Sequence, residues 1–142
     1  MYLVDTCVVS EARKRNGAHP GVRAFLQRVV EERVPVYLSV ITVGELRRGV
    51  EAIRGRDGAQ QAGRLERWLE NLLATYPEQV LGIDTDTAQL WGAIRMPAGV
   101  SPLDRQIAAT ARIHDLTLVT DKENDFSGAG ITVFNPFRAG ER

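Results

Sequence analysis

Short apolar runs of strand length alternate with helical patterns along the chain, and this alternation limits the possible fold more than any other feature. Five runs are rich in β-branched or apolar residues, at positions 2–4, 36–38, 80–83, 116–119 and 131–134. Apolar residues with helical spacing lie between them, at positions 22–30, 65–73 and 107–116. Strands with little polar alternation, separated by helices, predict an α/β fold with a mainly parallel central sheet of about five short strands flanked by helices.

The length and the cysteine content agree with a small protein that folds without covalent cross-links. The 142 residues match the commonest domain size, so we expect one domain over residues 1–142. The one cysteine, Cys7, cannot form a disulfide within the chain. The sequence shows no signal peptide and no long apolar run, so we expect a soluble, cytoplasmic protein without a membrane segment.

The charge balance does not identify a partner. Eighteen Lys and Arg residues equal eighteen Asp and Glu residues, whereas a nucleic-acid-binding protein usually carries a basic excess. All but two of the basic residues are Arg, and some form local clusters, as at Arg47 and Arg48. Taken alone, such clusters are typical of a solvated helix face.

Three acidic residues each have a structural explanation. Asp5 follows the first strand-like run and can cap a helix that begins at Thr6. Glu45 and Asp104 each lie three residues after a hydroxyl residue, which fits a capping box at the start of a helix. Capping therefore explains each acid when it is considered singly.

The positions of four acids relative to the strands predict a shared site. Asp5, Glu45 and Asp121 each follow a strand-like run, and Asp104 begins the helix that leads into the strand before Asp121. Parallel strands end at one edge of a sheet, where open α/β sheets bind their ligands. Carboxylates that lie close together repel one another, whereas Mg²⁺ or Mn²⁺ keeps them ionised. The pattern predicts a metal-dependent hydrolase.

Several stretches spread over the chain carry a family resemblance. They lie at residues 1–6, 9–11, 37–49, 104–111, 116–121 and 133–137. Their order and spacing resemble those of PIN-domain ribonucleases, most closely the VapC-type toxins of bacterial type II toxin–antitoxin pairs. The resemblance implies a Mg²⁺-dependent endoribonuclease that hydrolyses RNA phosphodiester bonds, forms a homodimer and is blocked by a small cognate VapB-like antitoxin.

Three of the acids match the best-defined acidic positions of the family. We expect Asp5 and Asp104 to be the central metal ligands, and Glu45 to be a ligand or the carboxylate that orients the attacking water. Two threonines, Thr6 and Thr120, are expected to hold these ligands through their hydroxyl groups.

Two departures from the family pattern lie beside the expected site. Cys7 stands where the family usually has Asn, and Thr120 is followed by Asp121 and Lys122 where the family commonly has Arg followed by Asn or Asp. The fourth acid is therefore open: we expect Asp121 as a weaker outer ligand, with Asp125 as the alternative. A Lys122 ammonium pointing into the site would compete with a metal, although its flexible stem can carry the charge to solvent. These departures keep open a catalytically weakened PIN-like RNA-binding or regulatory module.

Two further surfaces are assigned to partners. Arg47 and Arg48 lie close to Glu45 in the sequence and are candidates for contacts to RNA phosphates. An apolar stripe offers more surface than a sheet of short strands is expected to cover, at residues 65, 68, 69, 72 and 73. We therefore expect a homodimer.

Overall fold

The strands and helices of the computed structural model follow the alternation seen in the sequence. Residues 1–56 and 58–138 are described, and they form five strands and six α-helices. The strands are β1 (Tyr2–Val4), β2 (Val36–Ser39), β3 (Val80–Leu81), β4 (Thr117–Val119) and β5 (Val133–Phe134). The helices are α1 (Thr6–Ala12), α2 (Pro20–Glu31), α3 (Val40–Gly55), α4 (Ala59–Thr75), α5 (Thr85–Ala93) and α6 (Pro102–Ile113).

The five strands form one parallel sheet with β1 at its centre. Their order is β3-β2-β1-β4-β5, and every neighbouring pair runs in the same direction. The central strand pairs Leu3 with Tyr37 of β2 on one side and with Leu118 of β4 on the other. The predicted α/β fold is confirmed, and the carboxyl ends of all strands lie at one edge of the sheet.

Helices cover the sheet on both faces. Successive strand residues point to opposite faces, and both faces carry apolar side chains that the helices bury. Leu3 and Leu118 belong to one core cluster, in which Ile107 of α6 is fully buried. Their neighbours Val4 and Val119 belong to a second cluster, which is filled by residues of α1 to α4 and β2, namely Val8, Val9, Val22, Phe25, Val29, Leu38, Leu46 and Leu69. Leu116, which we expected on the third predicted helix, lies beyond the end of α6 and packs in the first of these clusters.

Five helices begin at side chains that accept hydrogen bonds from the backbone. These residues are Asp5 for α1, His19 for α2, Ser39 for α3, Asp84 for α5 and Ser101 for α6. Capping by Asp5 was expected, but the capping box expected from Thr42 to Glu45 is wrong. Because Ser39 caps α3, Thr42 lies inside the first turn and Glu45 in the second, where its carboxylate is free for other contacts.

The apolar stripe of α4 packs largely within the protein. Leu69 is almost completely buried, and Trp68, Leu72 and Leu73 pack against the same core cluster. The stripe therefore does not require a partner chain, and the homodimer stays a prediction. Within the described ranges, none of the helices combines the length and apolarity needed to cross a membrane.

Candidate active site

Four acidic residues lie near one another at the carboxyl edge of the sheet, and we call them the acidic edge. Asp5 directly follows β1, Glu45 lies in α3, Asp104 lies in the first turn of α6, and Asp125 lies in the loop after β4. Burial raises the pKa of Asp104; Lys122 opposes this shift, and the nearby charges of Glu45 and Asp125 add to it. The topology thus brings together acids that are far apart in the sequence. Asp5, Glu45 and Asp104 were expected here, and Asp125, the alternative fourth acid, lies with them in place of Asp121.

Asp5 is the most tightly held acid of the acidic edge. Its side chain is buried, with 1% of the residue exposed. Its Oδ1 accepts a hydrogen bond of 2.8 Å from the Thr6 backbone N–H, and its Oδ2 accepts one of 2.7 Å from the Thr120 hydroxyl. Burial nevertheless raises the pKa of Asp5, because it outweighs these hydrogen bonds and the attraction of Lys122. The protein therefore fixes a carboxylate in a position where its charge is unfavourable.

Glu45 is connected to Asp5 through Thr6. The Thr6 hydroxyl donates a hydrogen bond of 2.7 Å to Glu45 Oε1, while the Thr6 backbone contacts Asp5. The hydroxyl of Thr42 lies 3.1 Å from the Thr6 hydroxyl and completes the group. The structure thus places both threonines expected at the site, Thr6 and Thr120, in contact with its carboxylates.

Asp104 faces a lysine. Only 5% of Asp104 is exposed, and Lys122 Nζ lies 3.5 Å from its Oδ1 and 3.4 Å from its Oδ2. Burial lowers the pKa of Lys122, but the charges of Asp5 and Asp104 outweigh this effect, so the pKa of Lys122 is raised. The sequence left open whether the Lys122 ammonium points into the site or out to solvent. In the structure it points into the site, toward Asp104.

The two candidates for the fourth acid lie in different surroundings. The charge of Asp125 raises the pKa of Asp104. The next residue, Phe126, is 2% exposed and anchors the loop in the core. Asp121 is exposed and lies beside Cys7. This placement favours Asp125 as the fourth acid, which reverses the ranking expected from the sequence. The aromatic residue after Asp125 is visible in the sequence, but its burial is seen only in the structure.

Cys7 is a half-buried neighbour of the acidic edge. Its Sγ lies 3.8 Å from the hydroxyl of Thr120. Burial raises the pKa of the thiol to about 12; the Asp121 backbone opposes this shift, and the charges of Asp5 and Asp121 add to it. The thiol therefore stays protonated at neutral pH and lacks the thiolate character of a nucleophile.

The two arginines expected near the site have different neighbours. Arg47 pairs with Glu66 of α4, with 2.5 Å between Arg47 Nη1 and Glu66 Oε2, and Glu66 also pairs with Arg54 at 3.0 Å. Together with Glu51, which pairs with Arg54, these residues form the arginine cluster between α3 and α4. Arg48 is exposed instead.

Arg48 lies closer to the acidic edge. It lines a shallow groove of about 240 Å³ together with Glu45 and Leu103, the residue before Asp104. Apolar side chains supply most of the remaining lining, at Val40 and Ile41. Arg48 is therefore better placed than Arg47 to meet a phosphate at the site.

The donor set of the acidic edge fits a hard divalent cation. Mg²⁺ and Mn²⁺ prefer carboxylate oxygens. A cation would stabilise the charged forms of Asp5 and Asp104, which burial and the repulsion between acids disfavour. In their present orientations, no three His, Cys, Asp or Glu side chains of the described residues converge on one position for an ion. The reason is visible in the contacts: Asp5 is bonded to two protein donors, Glu45 is bonded to Thr6, and Asp104 is paired with Lys122.

The fold and the acidic edge agree with a family match over nearly the whole chain. The model of the PIN domain family matches residues 2–131, which include all four acids of the edge. The chain therefore belongs to the PIN-domain family, and the resemblance seen in the sequence is confirmed.

Relatives and a solved structure match at full length. Toxin FitB of Neisseria gonorrhoeae is 35% identical, with the match covering 96% of this chain and 99% of FitB. VapC ribonuclease Y4jK of Sinorhizobium fredii is 33% identical, over 96% of this chain and 98% of its own length. The crystal structure of FitAcB from Neisseria gonorrhoeae contains a chain with a TM-score of 0.83 and 34% identity, covering 96% of this chain and 99% of that one.

Proposed function

We propose that this PIN-domain protein is a Mg²⁺-dependent endoribonuclease that acts as the toxin of a toxin–antitoxin pair, with Mn²⁺ as an alternative cation. The observation that carries the proposal is the burial of Asp5 and Asp104 beside two further acids at the carboxyl edge of a parallel sheet. Such an arrangement is unfavourable without a cation. Relatives named as a toxin and as a VapC ribonuclease support the same activity.

The residues of the acidic edge have distinct roles in this mechanism. Asp5 and Asp104 would hold the cation, with Asp125 as the favoured outer acid and Asp121 as the alternative. A bound divalent cation neutralises the phosphodiester and supplies a nucleophilic water at neutral pH. Glu45, fixed by the Thr6 hydroxyl, would orient the attacking water by accepting a hydrogen bond from it. The Thr120 hydroxyl and the Thr6 amide hold Asp5 in one orientation.

Recognition of RNA requires groups that contact phosphates. Arg48 is the exposed basic residue in the groove beside Glu45, and we assign it this role. Arg47 is a weaker candidate, because its guanidinium is paired with Glu66.

Cleavage of a mixed single-stranded RNA pool by the purified protein tests the activity. We expect cleavage with Mg²⁺ or Mn²⁺, none in EDTA, and a loss of more than about a hundredfold in Asp104→Asn, which exceeds the effect expected of outer-shell partners. Asp86→Asn is the matched control, because Asp86 lies in the first turn of α5 as Asp104 lies in the first turn of α6, but it is exposed. Undiminished cleavage in EDTA would contradict the metal-dependent mechanism.

A catalytically weakened RNA-binding or regulatory module is the second candidate. The observation that favours it is the Lys122 ammonium against Asp104. The same assay separates the two functions, because a weakened module binds the RNA pool without cleaving it at any Mg²⁺ concentration.

The proposed partners are a small VapB-like antitoxin and a second copy of the chain. One lysine pairs with Asp104 and leaves most of the negative charge of the acidic edge unbalanced, so an Arg or Lys of the antitoxin would supply a further positive charge. Light scattering of the protein alone and with the product of the neighbouring gene tests both partners. A monomer that is unchanged by that product would argue against both.

A further inference from the structure

Lys122 reaches a buried pair of acids from a side chain that remains in contact with solvent. In residues 1–56 and 58–138, it is the one basic residue that forms an ion pair with the acidic edge. Its Nζ is nearly equidistant from the two oxygens of Asp104. The side chain of Lys122 is 40% exposed and that of Asp104 is 7% exposed. The ammonium is therefore held by a long ion pair that a competing cation can break.

The backbone of Lys122 is fixed to the network that holds Asp5. Its N–H donates a hydrogen bond of 3.1 Å to the Thr120 hydroxyl, which itself donates to Asp5 Oδ2. Its carbonyl accepts a hydrogen bond of 3.1 Å from the N–H of Asp125. These contacts set where the side chain starts, so the flexible stem alone decides whether the charge lies in the site or in solvent.

We propose that Lys122 is an internal counter-ion of the acidic edge, which a divalent cation must displace from Asp104 when it binds. This inference rests on the proposed function, because it assumes that the acidic edge binds a divalent cation. Two positive charges a few ångströms apart repel strongly at a partly buried site. Lys122 therefore weakens cation binding and raises the Mg²⁺ concentration at which the site fills.

The charges at the site make this displacement feasible. One ammonium offsets one of four carboxylate charges, whereas a divalent cation brings two positive charges and binds several oxygens at once. The lysine stem can move its charge outward without any change in the backbone. Lys122 is thus a positioning residue: it sets the charge and orientation of Asp104 before the cation arrives.

Calorimetric titration of Mg²⁺ into the full-length apoprotein, without RNA, tests the inference. We expect Lys122→Gln to lower the Kd for Mg²⁺ by about tenfold or more, because it removes a positive charge that repels the cation over a few ångströms at a partly buried site. Lys122→Arg keeps the positive charge, so its Kd should stay close to that of the wild type. Lys14→Gln is the matched control, because Lys14 is the other lysine of the chain and pairs with Glu11 at the surface.

Thermal unfolding gives a second measurement that does not depend on activity. Without its counter-ion the apoprotein should melt at a lower temperature in EDTA, and tighter binding should make saturating Mg²⁺ raise the Tm of Lys122→Gln more than that of the wild type. A role in packing alone would lower the Tm equally with and without Mg²⁺.

Three results would overturn the inference. An unchanged Kd in Lys122→Gln, with Mg²⁺ binding by the wild type, overturns the counter-ion role and leaves the proposed function intact. An absence of Mg²⁺ binding by both proteins overturns the inference and the proposed function together. Weaker RNA binding with an unchanged Kd for Mg²⁺ would assign Lys122 to a phosphate contact instead.

Discussion

The acidic edge and the arginine cluster both concentrate charged side chains, but they neutralise the charge to different extents. In the arginine cluster, Glu66 accepts hydrogen bonds from Arg47 and Arg54, and these contacts lower its pKa. At the acidic edge, burial raises the pKa values of Asp5 and Asp104, although a lysine lies nearby. The arginine cluster has equal numbers of positive and negative side chains. The acidic edge keeps an excess of negative charge, part of it buried.

The difference separates structural from functional charge. Ion pairs in contact with solvent contribute little to stability. The charges of the arginine cluster neutralise one another, so this cluster does not indicate a ligand. Buried carboxylates that repel one another lower the stability of the fold, and their presence indicates a cation or a basic partner. The conspicuous arginines of the sequence are thus less informative than four acids scattered along it.

Asp5→Asn should have the largest effect on RNA cleavage. It is therefore the strongest test of the difference between the acidic edge and the arginine cluster. We expect RNA cleavage to fall by more than about a hundredfold, while the apoprotein in EDTA becomes more stable at neutral pH. Asparagine keeps an acceptor for the Thr6 amide and removes the buried charge. A large loss of stability in urea unfolding would instead make Asp5 a helix cap with no functional charge.

The pH dependence of that stability gain has a defined sign. The pKa of Asp5 is raised in the folded apoprotein, so the wild type gains stability as the pH falls through this raised pKa. Asp5→Asn lacks this contribution, so its advantage should be largest near neutral pH and shrink in acid. Each unit of pKa difference corresponds to about 1.4 kcal/mol, which urea titrations at several pH values resolve.

The fourth acid gives the next largest effect. We expect Asp125→Asn to lower Mg²⁺-dependent cleavage by about ten- to a hundredfold, because Asp125 acts on Asp104 and is held beside buried Phe126. Asp121→Asn should cost much less, because Asp121 is exposed. Cleavage measured across a Mg²⁺ series compares the two variants, and the opposite ranking would restore Asp121 as the outer ligand.

Thr120→Val tests whether the hydrogen bonds at Asp5 matter to the fold. Removal of the hydroxyl leaves a buried carboxylate oxygen without its donor, so the free energy of unfolding should fall by about 1–3 kcal/mol. Thr110→Val is the matched control, because Thr110 is equally buried but its hydroxyl donates to the Gln106 carbonyl in its own helix. Equal losses in the free energy of unfolding in both variants would show that the hydrogen bond to Asp5 contributes no more to stability than a hydrogen bond within a helix.

Glu66→Gln should have the smallest effect. The pKa of Glu66 is lowered by Arg47 and Arg54, so its contribution is present above the unfolded pKa and is lost as the pH falls through the folded value. Because the Glu66 side chain is 32% exposed, solvent screens this contribution, and we expect unchanged cleavage and nearly unchanged urea unfolding. A clear loss of activity would connect the arginine cluster to RNA binding.

The fold and three acids were predictable because they depend on local patterns. The strand-like runs and the helical spacing are short-range signals, and parallel strands bring Asp5 and Glu45 to the same edge whatever the details of packing. The start of α3 was predicted wrongly at Thr42, because Ser39 and Thr42 are both good caps and only the three-dimensional fold selects Ser39.

The direction of Lys122 and the rank of Asp125 could not be read from the sequence. A lysine stem rotates freely, and its direction depends on Asp5 and Asp104, which come from distant parts of the chain. The course of the loop around Asp125 depends on where Phe126 enters the core. Both features are set by tertiary contacts that leave no periodic signal.

The central position of β1 also affects when activity can arise during synthesis. β1 must pair with β4, and Asp5 needs acids from α6 and from the loop after β4. At about 5–20 residues per second, β1 leaves the ribosome several seconds before these partners are made. The acidic edge of a nascent chain is therefore not assembled until almost all of the domain has been translated.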